Sequence, residues 1–119
     1  MLRNFPGQLE ADLHRFYQVD LADMYRGSIT PRKVAVLALN LPRGAQTWRA
    51  VGGAGAVTAE VEAAWIIEHT LLRVAHGQAG GKGKAPEMRD YPAGLLEEAA
   101  KAAFTQSRAE RFRQKHLTK

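Results

Sequence analysis

Cysteine is absent from the 119 residues, which excludes disulfide bonds and thiolate metal ligands. The sequence also lacks an apolar run long enough for a secretory signal or a membrane span, because Glu68, His69 and Arg73 interrupt the longest one. No stretch alternates apolar and polar residues over two-residue steps, so strands are not expected. These absences are compatible with one helical domain in a reducing, intracellular location.

Patterns typical of catalytic, cofactor or metal sites are missing as well. His69 and His76 share a helical face, but neither an HExxH pattern nor a third ligand accompanies them. The stretch GGAGA lacks the Gly-Lys-Ser/Thr ending of a phosphate-binding loop. No serine, histidine and aspartate stand in a catalytic motif. We therefore expect no catalytic residue, no cofactor and no metal ion, and we do not expect an enzyme.

The positive charge is concentrated in the C-terminal third. The net charge is +5, with 17 Lys and Arg against 12 Asp and Glu. Residues 77–119 hold 9 of these basic and 5 of these acidic residues, a net of +4. A basic tail can contact nucleic acid or an acidic partner, or simply keep the chain solvated, and the last interpretation is favoured.

What is present is helical periodicity. Leu9, Leu13 and Phe16 recur at spacings of four and three, which is typical of one buried helix face. A short turn of helix is expected around residues 47–51, where Trp48 is expected to cover the core. The sequence predicts an all-α fold, a small helical bundle with a Gly/Lys/Pro linker and a C-terminal helix. The four bundle helices are expected at residues 6–18, 20–26, 31–41 and 58–76.

A tight corner between two helices forms the centre of the sequence. Asp20 is a favourable N-cap, and Asp23 lies near the positive end of the short helix that follows. Arg26 closes this helix, and Gly27 supplies a left-handed residue that ends it. Thr30 then caps the next helix. Asp20, Asp23, Arg26 and Gly27 are therefore predicted to shape the corner.

A helix, a Gly turn and a second helix also outline a DNA-binding helix-turn-helix. Arg32 and Lys33 would suit that interpretation, but the remainder of the second helix reads VAVLALNL. It offers no row of polar side chains for base edges, so a packing corner is favoured.

The long helix at 58–76 is apolar on most sides, which is typical of a central helix or of one offered to another chain. One stripe is expected to face the first three helices: Val61, Ala64, Trp65, Leu71, Leu72 and Ala75. Because so small a protein cannot easily surround a helix, we expect an interaction surface, for self-association or for a partner helix. The residues predicted to contact a partner are Trp65, Ile66, Ile67, Leu71 and Leu72.

Three segments follow from these patterns. Residues 1–76 are expected to form the bundle domain. Residues 77–94 are rich in Gly, Lys and Pro and are predicted to be a flexible linker. Residues 95–119 are predicted to contain a basic C-terminal helix, acidic at its start and basic at its end.

The stretch FYQVDLADMYRGSITPRKVAVLALNLP resembles the core signature of small tail assembly chaperones from long-tailed bacteriophages of actinobacterial hosts. The signature combines an acidic amphipathic helix, an aromatic–x–x–Asp–Leu–x–Asp–aromatic–Arg–Gly segment, a basic pair and an apolar helix ending in Leu-Pro. The similarity covers about residues 1–92. The matching residues are Tyr17, Asp20, Leu21, Asp23, Tyr25, Arg26, Gly27, Arg32, Lys33, Leu41 and Pro42.

The resemblance implies a non-enzymatic chaperone with two partners, the tape-measure protein and the tail-tube protein, and possible homo-oligomers. It implies action in the host cytoplasm during phage assembly and absence from the mature virion. Membrane contact is not expected, and nucleic acid is not the favoured partner. Two alternatives stay open: a structural subunit of the head–tail connector, and a small nucleic-acid-binding helical protein. The second would act through Lys82, Lys84, Arg108, Arg111, Arg113 and Lys115.

Overall fold

The computed structural model describes residues 1–117, and every regular element within that range is helical. This confirms the predicted all-α class for the part of the chain that is described. A single turn of 3-10 helix covers Ala54–Ala56. The α-helices are α1 Pro6–Tyr17, α2 Ala22–Arg26, α3 Pro31–Leu39, α4 Gln46–Val51, α5 Ala59–Gln78 and α6 Leu95–Leu117.

The helix ends lie close to the predicted positions, with small differences that have local causes. Gln18 adopts a left-handed conformation, φ 55°, and ends α1 at Tyr17. Asn40 caps α3 and bonds Val36 O through its side chain, so this helix ends two residues before the predicted limit. The helix α5 instead runs on to Gln78, two residues beyond the prediction.

The core lies between α1, α3 and α4. Leu9 and Leu13 from α1 pack with Val34 and Ala38 from α3, each pair being one helical turn apart. Leu41 joins them from the segment that leads to α4. These side chains form one cluster, so the corner around α2 is held between two helices of the same core.

The expected place of α5 in the bundle is wrong. No residue of α5 is buried, whereas Thr47 and Ala50 of the short helix α4 are. The helix α4 therefore takes the position against α1 that the sequence assigned to the long helix. The Cα radius of gyration is 21.3 Å, against about 14 Å for a compact domain of this length. The two long helices thus extend from a small core.

Phe16 is also misplaced by the sequence pattern. It was expected in the core stripe of α1, but it is exposed at the rim, where the Arg15 guanidinium lies 5.3 Å from the centre of its ring. The third buried side chain of α1 is Asp12 instead. Periodicity places both residues near Leu9 and Leu13, and only the contacts made by α4 decide between them.

Residues 86–94, here called the strap, run back along α5 toward α4. Pro92 O accepts a hydrogen bond from the Gly53 amide at 2.9 Å, just after α4 ends. Gly94 is buried against the backbone of Val51, with no room for a Cβ atom. The strap therefore ties the start of α6 to the end of α4. The predicted flexibility of residues 77–94 concerns motion, and it stays a prediction.

Candidate functional site

The corner predicted from residues 20–27 is a compact polar turn at the surface. Asp20 Oδ1 accepts a hydrogen bond from the Ala22 amide at 2.9 Å. Arg26 Nη1 lies 3.7 Å from Asp20 Oδ2 and 3.3 Å from Asp23 Oδ1. Gly27 ends α2 with φ 82°, where a side chain would be strained. Because these ion pairs are exposed, they orient the turn and add little stability.

Asp12 is a buried structural residue whose role the sequence analysis did not identify. It is 1% exposed, and its Oδ2 accepts hydrogen bonds from the amide and the hydroxyl of Thr47, both at 2.6 Å. Its Oδ1 accepts a third from the Gln46 amide at 3.2 Å. The first turn of α4 has no capping side chain of its own, since Ala45 precedes it. Asp12 therefore caps α4 from α1, 35 residues away in the chain.

Trp48 lies where the sequence predicts it, over the edge of the core. Its indole Nε1 donates to Leu41 O at 3.0 Å, and its ring packs on Gly55. A side chain at Gly55 would approach the ring to 3.2 Å. Trp48 thus links α4 to the segment before it and to the 3-10 turn after it, and it is not a free binding residue.

One side of α5, here called the strap face, holds Glu62, Trp65, Glu68 and His69. Arg89 makes a two-pronged ion pair with Glu68, with distances of 2.6 Å from Nε to Oε2 and 2.7 Å from Nη2 to Oε1. Tyr91 donates a hydrogen bond to Glu62, and its ring centre lies 6.4 Å from that of Trp65. The strap therefore covers this side of α5 with an arginine and a tyrosine.

These contacts shift the titration of the strap face. Hydrogen bonds from the Tyr91 hydroxyl and, to a smaller extent, from Arg43 hold the pKa of Glu62 below its ordinary value. The hydrogen bond from Arg89 lowers the pKa of Glu68 in the same way. Glu62 in turn raises the pKa of Tyr91. Each shift favours the protonation states that hold the strap on α5 near neutral pH.

The opposite side of α5, here called the open face, is apolar and exposed. Its large members are Ile66, Ile67, Leu71 and Val74, which are 52%, 62%, 64% and 51% exposed. Thr70 lies among them, and its hydroxyl bonds back to Ile66 O at 2.8 Å. This leaves the methyl group as its outward part. With Ala63, the open face offers a partner about three turns of uncharged helix surface.

The five residues predicted to contact a partner are therefore divided between two sides of α5. Ile66, Ile67 and Leu71 belong to the open face, whereas Trp65 is half-buried beside Tyr91 on the strap face. Leu72 is exposed on the strap side of the helix. The sequence carried no local signal for this division, because Arg89 and Tyr91 contact residues 21 and 29 positions away in the chain.

The histidines make no cluster suited to a metal. His69 Nε2 lies 3.2 Å from Pro86 O at the start of the strap. Within residues 1–117, no three side chains of His, Asp or Glu are grouped so that they could hold an ion. None of the helices in that range is long and apolar enough to cross a membrane.

The basic C-terminal helix exposes both apolar and cationic side chains. Leu96, Phe104 and Phe112 are exposed along α6, and Phe112 contacts the ring of His116 at 4.3 Å between centres. Arg111 bonds back to Ser107 of the same helix.

Comparison of the chain with protein-family models, with curated proteins and with solved structures finds no match.

Proposed function

We propose that this protein is a non-enzymatic tail assembly chaperone of a long-tailed bacteriophage. In this role it binds the helical tape-measure protein, keeps it soluble, and promotes assembly of the tail tube around it. It acts in the host cytoplasm and leaves before the virion is complete. The proposal begins from the resemblance of residues 17–42 to the signature of that family.

The observation that carries the proposal is the open face of α5. Ile66, Ile67 and Leu71 are more than half exposed on a helix that contributes nothing to the core. An uncharged helix face of this kind binds amphipathic helices, which lay their own apolar side against it. A long helical protein that must stay soluble before assembly presents many such segments. The basic helix α6 supports contact with an acidic partner, for which the tail-tube protein is proposed.

Co-expression with the tape-measure protein tests this function. We expect the tape-measure protein to become soluble and to co-purify with the chain, while purified particles contain none of this chain by mass spectrometry. A double variant, Ile66→Asp with Ile67→Asp, should lose co-purification and keep its helix content by circular dichroism. The control is Leu39→Asp, which places a charge on an exposed apolar residue of α3.

Other outcomes identify the alternatives. Fixed stoichiometry in finished particles would make the chain a structural component, such as a connector subunit, and would refute the chaperone proposal. Retention of nucleic acid with a steep salt dependence, lost on replacing Arg108 and Arg111, would instead indicate nucleic-acid binding. If the double variant and the wild type co-purify equally with the tape-measure protein, the open face is not the binding surface.

A further inference from the structure

The open face of α5 has the geometry of a helix–helix seam. At 3.6 residues per turn, Ala63, Ile67, Thr70 and Val74 fall within about 60° of one another. Their spacings of four, three and four are those of the core positions of a coiled coil. Ile66 and Leu71 flank this row on its two sides, so a second helix laid along it would contact apolar surface throughout.

The hydrogen bonds and ion pairs that tie α5 to other parts of residues 1–117 lie on the other side. Arg43 reaches Glu62 at 3.0 Å, and the strap holds Glu68 through Arg89. Both carboxylates are thus neutralised within the chain, on the side away from the seam. The seam itself is left uncovered and uncharged, and no rearrangement of the strap is needed to reach it.

The seam is complementary to itself when two copies run antiparallel. In that arrangement Ile67 faces Thr70 of the second copy, and Val74 faces Ala63 of the second copy. Every layer then pairs a large side chain with a small one, which fills space evenly. A parallel pair would instead place large against large and small against small in alternating layers.

A charge at the start of the row favours the same direction. Glu60 lies three residues before Ala63, at the preceding position of the same row. A parallel pair would bring Glu60 of one copy against Glu60 of the other, which is destabilising. An antiparallel pair keeps the two carboxylates at opposite ends of the interface. The helix dipoles of α5 oppose each other only in the antiparallel pair.

The helix α6 is a poorer occupant of this seam. Its apolar row begins with Leu95, Ala99 and Ala102, but continues into Gln106 and, after Ala109, Arg113 at the corresponding positions. Covering the seam with this row would place an amide and a charge against apolar surface at a cost. The better match for α5 within this sequence is therefore α5 itself.

We propose that the free protein forms a two-fold symmetric dimer through antiparallel pairing of α5 with α5 of a second copy. Such an interface is isologous, because each copy contributes the same surface. The dimer would cover Ile66, Ile67 and Leu71 until another helix replaces the second copy. The inference concerns the purified chain alone, so it stands or falls separately from the tail-assembly proposal.

The oligomeric state of the full chain tests the proposal. Sedimentation velocity from about 1 to about 100 μM should show a concentration-dependent dimer. Ile67→Asp places a charge at the centre of the seam and should raise the dissociation constant by at least about tenfold. Leu72→Asp, on the strap side of the same helix, should leave it unchanged. A monomer throughout this range, or a dimer indifferent to Ile67→Asp, would overturn the proposal.

Cysteine cross-linking tests the direction, since the chain has no cysteine of its own. Ala63→Cys and Val74→Cys should form a disulfide between copies when the two variants are mixed and oxidised. Neither should do so alone, because equivalent residues would be about 16 Å apart along the axis, beyond the reach of a disulfide. Efficient cross-linking of either variant with itself would indicate a parallel pair and refute the arrangement.

Discussion

Replacing Asp12 by alanine should destabilise the core more than any other single loss of a polar side chain described above. The change removes the acceptor for three hydrogen bonds and leaves the Thr47 hydroxyl and two amides of α4 without it. A hydrogen bond to a charged group contributes about 1.5–3 kcal/mol, and loss of a helix cap alone costs about 1 kcal/mol. These terms overlap, so we expect a loss of about 3 kcal/mol in the free energy of unfolding.

Urea denaturation, monitored by tryptophan fluorescence, measures this loss in the free energy of unfolding. The experiment is done in a Trp65→Phe background, so that Trp48 alone reports on the core. Glu10→Ala is the matched control, because it removes an exposed carboxylate from the same helix. It should change the free energy of unfolding by no more than about 0.5 kcal/mol.

A double-mutant cycle with Thr47→Val separates the contact from other effects of the substitution. If the carboxylate acts through Thr47, the double variant should lose about 1–2 kcal/mol less than the sum of the two single losses. Additive losses would show that the two side chains stabilise the core independently. A loss for Asp12→Ala equal to that for Glu10→Ala would refute the remote cap altogether.

The strap and its anchor give three further predictions. Gly94→Ala introduces a Cβ against the backbone at the end of α4, so hydrogen exchange of the Gly53 amide should quicken at least about tenfold while the core stays protected. Reversing the ion pair as Glu68→Arg with Arg89→Glu should retain the nuclear Overhauser contacts between the rings of Tyr91 and Trp65, which either single change should weaken. The lowered pKa of Glu62 and the raised pKa of Tyr91 mean that the hydrogen bond between these two residues is present at neutral pH. The bond is lost as the pH falls through the pKa of Glu62 or rises through the pKa of Tyr91. Carbon chemical shifts of the Tyr91 ring should show both transitions.

The parts of the fold that depend on neighbouring residues could be predicted from the sequence. Thr30 caps α3 by accepting a hydrogen bond from the Lys33 amide, and Gly27 adopts the left-handed conformation. Both features are predicted from the residue type and its immediate neighbours. Similarly, Thr58 begins α5 by accepting from the Val61 amide. Such signals lie within four residues of their effect, so one sequence contains all the information that they need.

The position of α5 could not be predicted in this way. The apolar residues of α5 indicate that the helix is buried against another surface. Periodicity cannot tell whether that surface is the core of the same chain or a partner. The deciding contacts join distant parts of the chain: Asp12 with Thr47, Arg89 with Glu68, and Gly94 with Val51. The short helix α4 packs against α1 through the carboxylate of Asp12, a contact that the periodicity of α1 does not indicate.

The absence of buried residues in α5 and α6 has a spectroscopic consequence. These two helices contain 20 and 23 residues, more than the core helices together, so far-ultraviolet ellipticity reports chiefly on them. They can fray or melt while Leu9, Leu13 and Val34 remain packed, because few contacts couple them to that cluster. A thermal scan of helix content will therefore spread over a broad range and describe the two extensions, whereas the core unfolds in its own transition. A single melting temperature is not a property of this molecule.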